Sequence, residues 1–452
     1  MRHGRGRVKM SAADTIFALS SAPGIAGIAV VRVSGPDAPA VAAELGLGRL
    51  AQRRASVTRI SDPRTGELID KGIAILFRRP ASFTGESVLE LHVHGGRAVV
   101  AALLAALSSI PGCRLAEAGE FTRRAFHNGK LDLTGAEGLA ALLGAETEVQ
   151  RKSALRVAGG ELRTLYDGWR SELIEAMALM EAAIDFSDEA DVANDALAQA
   201  RTRVAALRSN VETHLNDNRR GEILRDGLKV VLAGPPNAGK SSLLNALARR
   251  DVAIVSPEPG TTRDVVEARL DLDGYPVIVS DTAGIRPDPG GAIEREGIRR
   301  TYERSAEADL VLWLIDSTNP VYDPPAELIG GPASVIPVST KWDLDGNDIG
   351  PSTLRISTKT GQGLDGLLAI LTACARDRIG DGGSAAIITS RQRALLIETT
   401  RFLATFLAGN PDHIELRAED LRQAAQSLGR LTGRVDVEDV LDRVFSSFCI
   451  GK

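Results

Sequence analysis

Cysteine is nearly absent: the 452 residues hold three, Cys113, Cys374 and Cys449. An odd number so widely spread excludes a disulfide framework and a compact zinc site, and it suits a reducing cytoplasm. No run of about 20 apolar residues occurs, the length a bilayer-spanning helix needs, so no membrane segment is expected. The basic start MRHGRGRVKM leads into mixed sequence without the apolar stretch of a secretory signal, and residues 1–13 read as a disordered extension. Positive charge is not in surplus: 54 Lys and Arg against 59 Asp and Glu give a net charge of −5. Composition therefore makes no electrostatic case for a nucleic-acid partner, although a local basic patch is compatible with it. No short-period repeat is present.

What is present is ordinary for a globular protein: 44% hydrophobic and 25% charged residues, in a length that accommodates two to four domains. Residues 14–131 carry short β-like runs (GIAGIAVVRVSG, KGIAILFRR, SVLELHVHGG) and an alanine-rich helical stretch near Val99–Leu107, the pattern of an α+β domain. Residues 132–226 show helical periodicity, as in WRSELIEAMALMEAAI. Residues 227–378 alternate strands with helices (LKVVLAG, YPVIVSD, ADLVLWLID, SVIPVST, TLRIST), which predicts a mostly parallel sheet covered on both faces. After the joint IGDGGSA, helical texture returns over residues 379–452, in SRQRALLIETTRFLATFLAG and AEDLRQAAQSLGRL. The expected fold class is thus α/β and α: an α+β domain, then a helical domain made discontinuous by an inserted α/β domain.

The inserted region carries the strongest motif. Gly234-Pro235-Pro236-Asn237-Ala238-Gly239-Lys240-Ser241 fits G-x-x-x-x-G-K-[ST], follows an apolar strand and opens into the helical SLLNALAR. Amides of such a loop and of the helix start, through Ser242, cradle phosphate oxygens. Lys240 neutralises β and γ charge, and the Ser241 hydroxyl binds magnesium. Downstream, Thr261 and Thr262 of PGTTRD offer a second hydroxyl to the metal. Asp281-Thr282-Ala283-Gly284 places a carboxylate at a strand end and a glycine beside the γ-phosphate. The order is that of a Ras-like P-loop GTPase.

Base choice falls to Thr340-Lys341-Trp342-Asp343. Guanine presents two neighbouring N–H donors to Asp343, whereas adenine puts an acceptor there. The usual pattern begins with Asn, and Thr340 is expected to weaken guanine binding while Asp343 keeps the preference. Ser357-Thr358-Lys359 completes the base side, with Thr358 in place of the more usual alanine; ATP use is the minor alternative. Ras-like proteins orient the attacking water with a glutamine just after D-x-x-G, where this chain has Ile285. Outside help is one remedy. The other is a carboxylate and a cation from elsewhere in the chain: Glu294 and Glu296 in IEREGIRR, against the plain reading of solvated helix charges, and a monovalent ion on the uncharged oxygen of Asn237.

The chain closes on SSFCIGK. Cys449 stands where prenylation would need it, but Gly451 is not aliphatic and Lys452 is not a usual last residue. The plain reading is a tolerant tail.

Taken together, DTIFALSSAPGIAGIAVVRVSG, SFTGESVLELHVHGG, GEFTRRAFHNGKLDLTGAEGLA, GPPNAGKSSLLNAL, PGTTRDVVE, DTAGIR and the closing CIGK resemble one family over nearly the whole chain after residue 13. It is that of the bacterial and organellar tRNA-modification GTPases called MnmE or TrmE. The resemblance implies an N-terminal domain that binds tetrahydrofolate and mediates homodimerisation, a helical domain in two segments and an inserted G domain. It implies a cytoplasmic complex, a heterotetramer with the FAD-dependent partner MnmG (GidA). That complex would add an aminomethyl or carboxymethylaminomethyl group to C5 of the wobble uridine in tRNA, drawing a one-carbon unit from 5-formyltetrahydrofolate or a related folate.

Hydrolysis in the family is potassium-dependent and occurs when two G domains meet. The resemblance places Asn237, Ser256, Glu258 and Thr261 around the ion and Glu294 as the water-orienting carboxylate, with Glu296 in reserve. Arg32, Glu90, Lys130 and Lys452 match folate-binding positions: cations suit the ligand's carboxylates, and a carboxylate suits the pterin's N–H donors. Without the family, Arg32 and Lys130 would read as surface charges. Cys449 would stand beside the folate pocket as nucleophile, as activator of the tRNA base, or as lining. The alternative from another class is a ribosome-assembly GTPase switch, which would more often carry a basic RNA-binding module than this N-terminal domain and tail. A third is a dimeric scaffold with vestigial GTP binding.

Overall fold

The computed structural model describes residues 14–186, 188–217, 219–254, 267–281, 308–331, 333–344, 354–380, 387, 389–410, 413–435, 441, 444–445, 448 and 450–451. They form two compact units: residues up to Ala140 together with those from Gly429 onward, and Ala141–Leu428.

The first unit is built on a six-stranded sheet of β1 (Thr15–Leu19), β2 (Ala26–Ser34), β3 (Ser56–Ser61), β4 (Leu68–Phe77), β5 (Val88–Gly95) and β6 (Cys113–Leu115). Its order is β3-β4-β5-β2-β1-β6, antiparallel except for β1 with β6. Alternation along VLELHVHG decides which face is covered. Leu89, Leu91 and Val93 point into a core shared with Leu103 and Leu107 of α2 (Arg97–Ser108) and Val41 of α1 (Ala38–Glu44). Glu90, His92 and His94 lie on the other face. At the β1 side, Phe121 of α3 (Glu120–His127) packs with Ile16, Ala18 and Ala116. Helix α4 (Leu133–Leu143) follows, and its Leu133 and Ala136 pack with Phe445 and Phe448 from the end of the chain.

The second unit holds α5 (Glu148–Ala158), α6 (Glu161–Asp185), α7 (Ala190–Leu215) and α8 (Arg220–Asp226) ahead of a second sheet. That sheet comprises β7 (Leu228–Ala233), β8 (Glu267–Leu272), β9 (Tyr275–Asp281), β10 (Leu310–Asp316), β11 (Ser334–Thr340) and β12 (Leu354–Arg355), with α9 (Lys240–Ala248) and α10 (Ala326–Ile329) between strands and α11 (Leu364–Ile379) after the last. Its order is β12-β11-β10-β7-β9-β8, and only β8 runs antiparallel to its neighbour. LVLWLID is apolar nearly throughout because both faces are covered: Leu312 and Leu314 join the core under α9 and α11, while Val311 and Trp313 join the opposite one with Leu328. Helices α12 (Ser390–Ala408) and α13 (Ile414–Thr432) come after the sheet.

Helices thus precede and follow an inserted α/β sheet, the fold class the sequence texture predicts. Arg393 of α12 ties the two crossing points together. Its guanidinium reaches Asp217 at 2.6 Å and Glu222 at 3.2 Å, both ahead of β7. Among the described residues no helix is long and apolar enough to cross a membrane.

Candidate functional site

The phosphate loop joins β7 to α9, and its residue types match its backbone. Gly234 and Gly239 stand at φ +149° and +94°, and Asn237 at +63°, in a region that glycine enters freely and Asn more readily than most. At Gly234 space is also short, since a Cβ would lie 2.7 Å from the carbonyl oxygen of Leu314. The free amides of the first turn of α9 make that end suited to anions. Lys240 folds back over the loop, Nζ donating to the carbonyls of Gly234 (2.8 Å) and Pro235 (2.9 Å). Burial lowers its pKa, against the opposing charge of Asp281. The Ser241 hydroxyl donates to Oδ2 of Asp281 at 2.6 Å, which brings the loop serine to the C-terminal end of β9. Asp281 is 1% exposed.

On the base side, Asp343 is exposed and is held by the Ser357 hydroxyl, which donates to Oδ1 at 2.7 Å. That hydrogen bond is the first cause of a lowered Asp343 pKa, aided by the charge of Lys359. Thr358 is half-buried and Lys359 exposed. Arg355 stacks over the Trp342 ring at 4.4 Å. Thr340 is buried, and its hydroxyl donates to the carbonyl of Ala238 at 2.7 Å. The single proton of this hydroxyl is therefore used to join the base loop to the phosphate loop, 102 residues away in sequence.

In the first unit, cross-strand register sets Arg32 of β2 opposite Glu90 of β5. Arg32 Nε and Nη2 both donate to Glu90 Oε1, at 3.1 and 2.9 Å, and the guanidinium lies over Phe83 and Phe121. Glu90 Oε2 faces His92 Nε2 at 3.7 Å, too far for a hydrogen bond. Lys130 is exposed beside the loop that carries Phe83: a Cβ on Gly85 would lie 3.4 Å from its Cγ. The Asn128 amide donates to Thr84 O in the same loop at 2.7 Å. The end of the chain lies near β1, where Ile450 bridges Ala118 and the Ser20 hydroxyl donates to Gly451 O at 2.9 Å.

Ser256, Glu258, Thr261, Thr262, Thr282, Ala283, Gly284, Ile285, Glu294, Glu296, Cys449 and Lys452 lie outside the described residues. Reading the sequence also passed over Asp316 and Ser317, which touch the base loop directly. The available signal was an acid at the C-terminal end of a parallel strand, where open α/β sheets gather their ligand groups.

Residues 133–449 match the model of the MnmE helical domain, and residues 15–130 that of the GTP-binding protein TrmE N-terminus. The chain belongs to the MnmE family. A Brucella anthropi protein named tRNA modification GTPase MnmE is 49% identical over 439 residues, covering 97% of this chain and 98% of its own. Its Rhodopseudomonas palustris namesake is 51% identical over 444 residues, covering 97% and 99%. Among solved structures, the G domain of the T. maritima FeoB iron transporter is 28% identical and covers 32% of this chain and 98% of its own, with a TM-score of 0.23. MnmE membership bears out the resemblance drawn from the motifs.

Proposed function

We propose that this chain hydrolyses GTP and, with an FAD-dependent partner of the MnmG or GidA kind, modifies C5 of the wobble uridine in tRNA. The observation that carries the reading is that Lys240, the Ser241–Asp281 pair and the Ser357–Asp343 pair sit at loops that follow the parallel strands of one sheet or, for Asp281, at such a strand's end. The relatives' name supplies the tRNA. Hard oxygen donors at Ser241 and Asp281 fit magnesium, which Ser241 and Thr262 would hold; bound there, it supplies charge neutralisation between the β- and γ-phosphates. Ala238, Gly239, Lys240 and Ser242 cradle phosphate, with Thr282, Ala283 and Gly284 beside the γ position. Asp343, aided by Lys341 and the Ser357–Lys359 loop, reads guanine.

Asn237, whose left-handed backbone leaves it exposed on the loop, would bind potassium with Ser256, Glu258 and Thr261, and Glu294, or Glu296, would orient the water. This reading has two G domains meeting within a homodimer. Arg32, Glu90, Lys130 and Lys452 would bind 5-formyltetrahydrofolate or a related folate. Glu90 suits that ligand because Arg32 takes up only Oε1, leaving Oε2 for N–H donors. The domains are taken as 14–131, 132–226 with 379–452, and 227–378, and the setting as the cytoplasm.

GTP turnover by the purified full chain, measured in potassium and in sodium, tests the hydrolytic half. Turnover is expected in potassium and its loss in Lys240→Ala. Equal turnover in both salts contradicts the potassium site, and none in either contradicts the enzyme.

A further inference from the structure

The loop that would read guanine carries a strained residue. Lys341 has φ +59°, a region a non-glycine side chain enters only where its surroundings hold it there. Nothing in Thr340-Lys341-Trp342-Asp343 favours that conformation, as no glycine or Asn stands in it. The holding force comes from the turn after β10.

Asp316 Oδ2 accepts from Lys341 Nζ at 2.6 Å. The other oxygen, Oδ1, accepts from the Thr318 hydroxyl at 2.7 Å and the Thr318 amide at 3.0 Å, so the carboxylate is fixed before it meets the lysine. Ser317, fully buried, adds two bonds to the same loop. Its amide donates to Thr340 O at 3.2 Å and its hydroxyl to Lys341 O at 3.1 Å. Two consecutive residues, Asp316 and Ser317, therefore grip the side chain at the strained position and the carbonyls of Thr340 and Lys341, while Thr318 fixes the Asp316 carboxylate. Immediately beyond, the Trp342 amide donates to Ile356 O and Asp343 is presented to its Ser357 clamp. A charge-assisted bond from a fixed carboxylate is the strongest of these contacts.

We propose that Asp316 is a positioning residue for base recognition: with Ser317 and Thr318 it holds Lys341 in its left-handed turn, and so presents Asp343 to guanine. The inference rests on the guanine-nucleotide reading above and assigns Asp316 no contact with the phosphates. Its loss should cost nucleotide affinity and leave the chemical step alone, because Lys240, Ser241 and Asp281 are held independently.

The test uses the full chain and a fluorescent GDP. Asp316→Asn keeps the shape and removes the charge. We expect its Kd for GDP to rise roughly tenfold, with kcat at saturating GTP within about twofold of wild type. The decisive arm is a cycle with Lys341→Gly, which frees the backbone and removes the cation. Asp316→Asn should then add less than about a further twofold in that background, because the strain and the ion pair are both gone. An equal penalty in both backgrounds, an unchanged Kd in the single variant, or a fall in kcat matching the fall in affinity would each overturn the assignment. Wild type that binds no GDP would instead sink the guanine-nucleotide reading, and Asp316's role with it.

Discussion

Replacing Thr340 with valine removes one hydroxyl from the join between base loop and phosphate loop and changes little else in shape. The residue is 2% exposed, and its hydroxyl bonds Ala238 O at 2.7 Å, with a longer 3.3 Å approach to Ile315 O. Water cannot replace the lost donor at a buried site, so the Ala238 carbonyl bears the cost of going without it, about 1–3 kcal/mol. For a region of this size each kcal/mol moves a melting temperature by about 2–4 °C, so Thr340→Val should melt several degrees below wild type. Tryptophan fluorescence suits the measurement, because Trp313 and Trp342 both belong to the inserted sheet and its base loop. The same variant should release GDP faster, since Ala238 lies between Asn237 and Gly239 in the phosphate loop. Thr340→Ser keeps the donor and should restore both properties to near wild type. A valine variant with the wild-type melting temperature and GDP release rate would refute the tether, and so would a serine variant as impaired as the valine one.

Three further outcomes follow from single sites. Gly234→Ala should abolish GDP binding in a fluorescence titration, because φ +149° disfavours any side chain and the Leu314 carbonyl 2.7 Å away belongs to a central strand; unchanged affinity would contradict the loop geometry. In the first unit, burial pushes the Glu120 carboxyl up, but hydrogen bonds from Arg114 and the Glu117 amide, with the charges of Arg114 and Arg124, hold it below its ordinary value of 4.5. Its pairing thus stabilises the fold above that value and is lost as pH falls through the lower folded one, so the melting temperature should drop below about pH 4.5 and less steeply in Glu120→Gln. Identical profiles for the two proteins would argue against it. Arg417 is 2% exposed; among the described residues its Nη1 and Nη2 have no hydrogen-bond partner, its Nε donates to Phe406 O at 3.1 Å, and its guanidinium lies over the Phe406 ring at 4.7 Å. Arg417→Met should leave the melting temperature unchanged or raise it, since a buried cation with no ion pair among the described residues gains little against its desolvation and methionine can keep the packing on Phe406; a fall of more than about 5 °C would contradict this.

The phosphate loop was readable because its backbone demands are written in residue types: glycine at 234 and 239 and Asn at 237 are the three positions with positive φ. The Ser241–Asp281 pair was readable from motif order alone. What stayed hidden depends on register and on contacts distant in sequence. Nothing in GIAVVRVSG says that Arg32 will face Glu90; pairing of β2 with β5 decides it. Motif reasoning treats Thr340 as a weakened base contact, because its partner, Ala238, is visible only in three dimensions. Lysine at 341 carries no mark of a left-handed backbone, so although an acid at the end of β10 was a signal for a site residue, its task of holding that backbone shows only in three dimensions.

The central claim is tested most directly in the host. The gene would be deleted, wobble-uridine nucleosides in bulk tRNA measured by mass spectrometry, and the strain complemented with wild type and with Ser241→Ala. We expect the C5-modified uridines to vanish on deletion, to return with wild type and to stay absent with Ser241→Ala. An unchanged nucleoside profile in a deletion strain with no second copy of the gene would contradict a role in tRNA modification, and full rescue by Ser241→Ala would contradict its dependence on the nucleotide site.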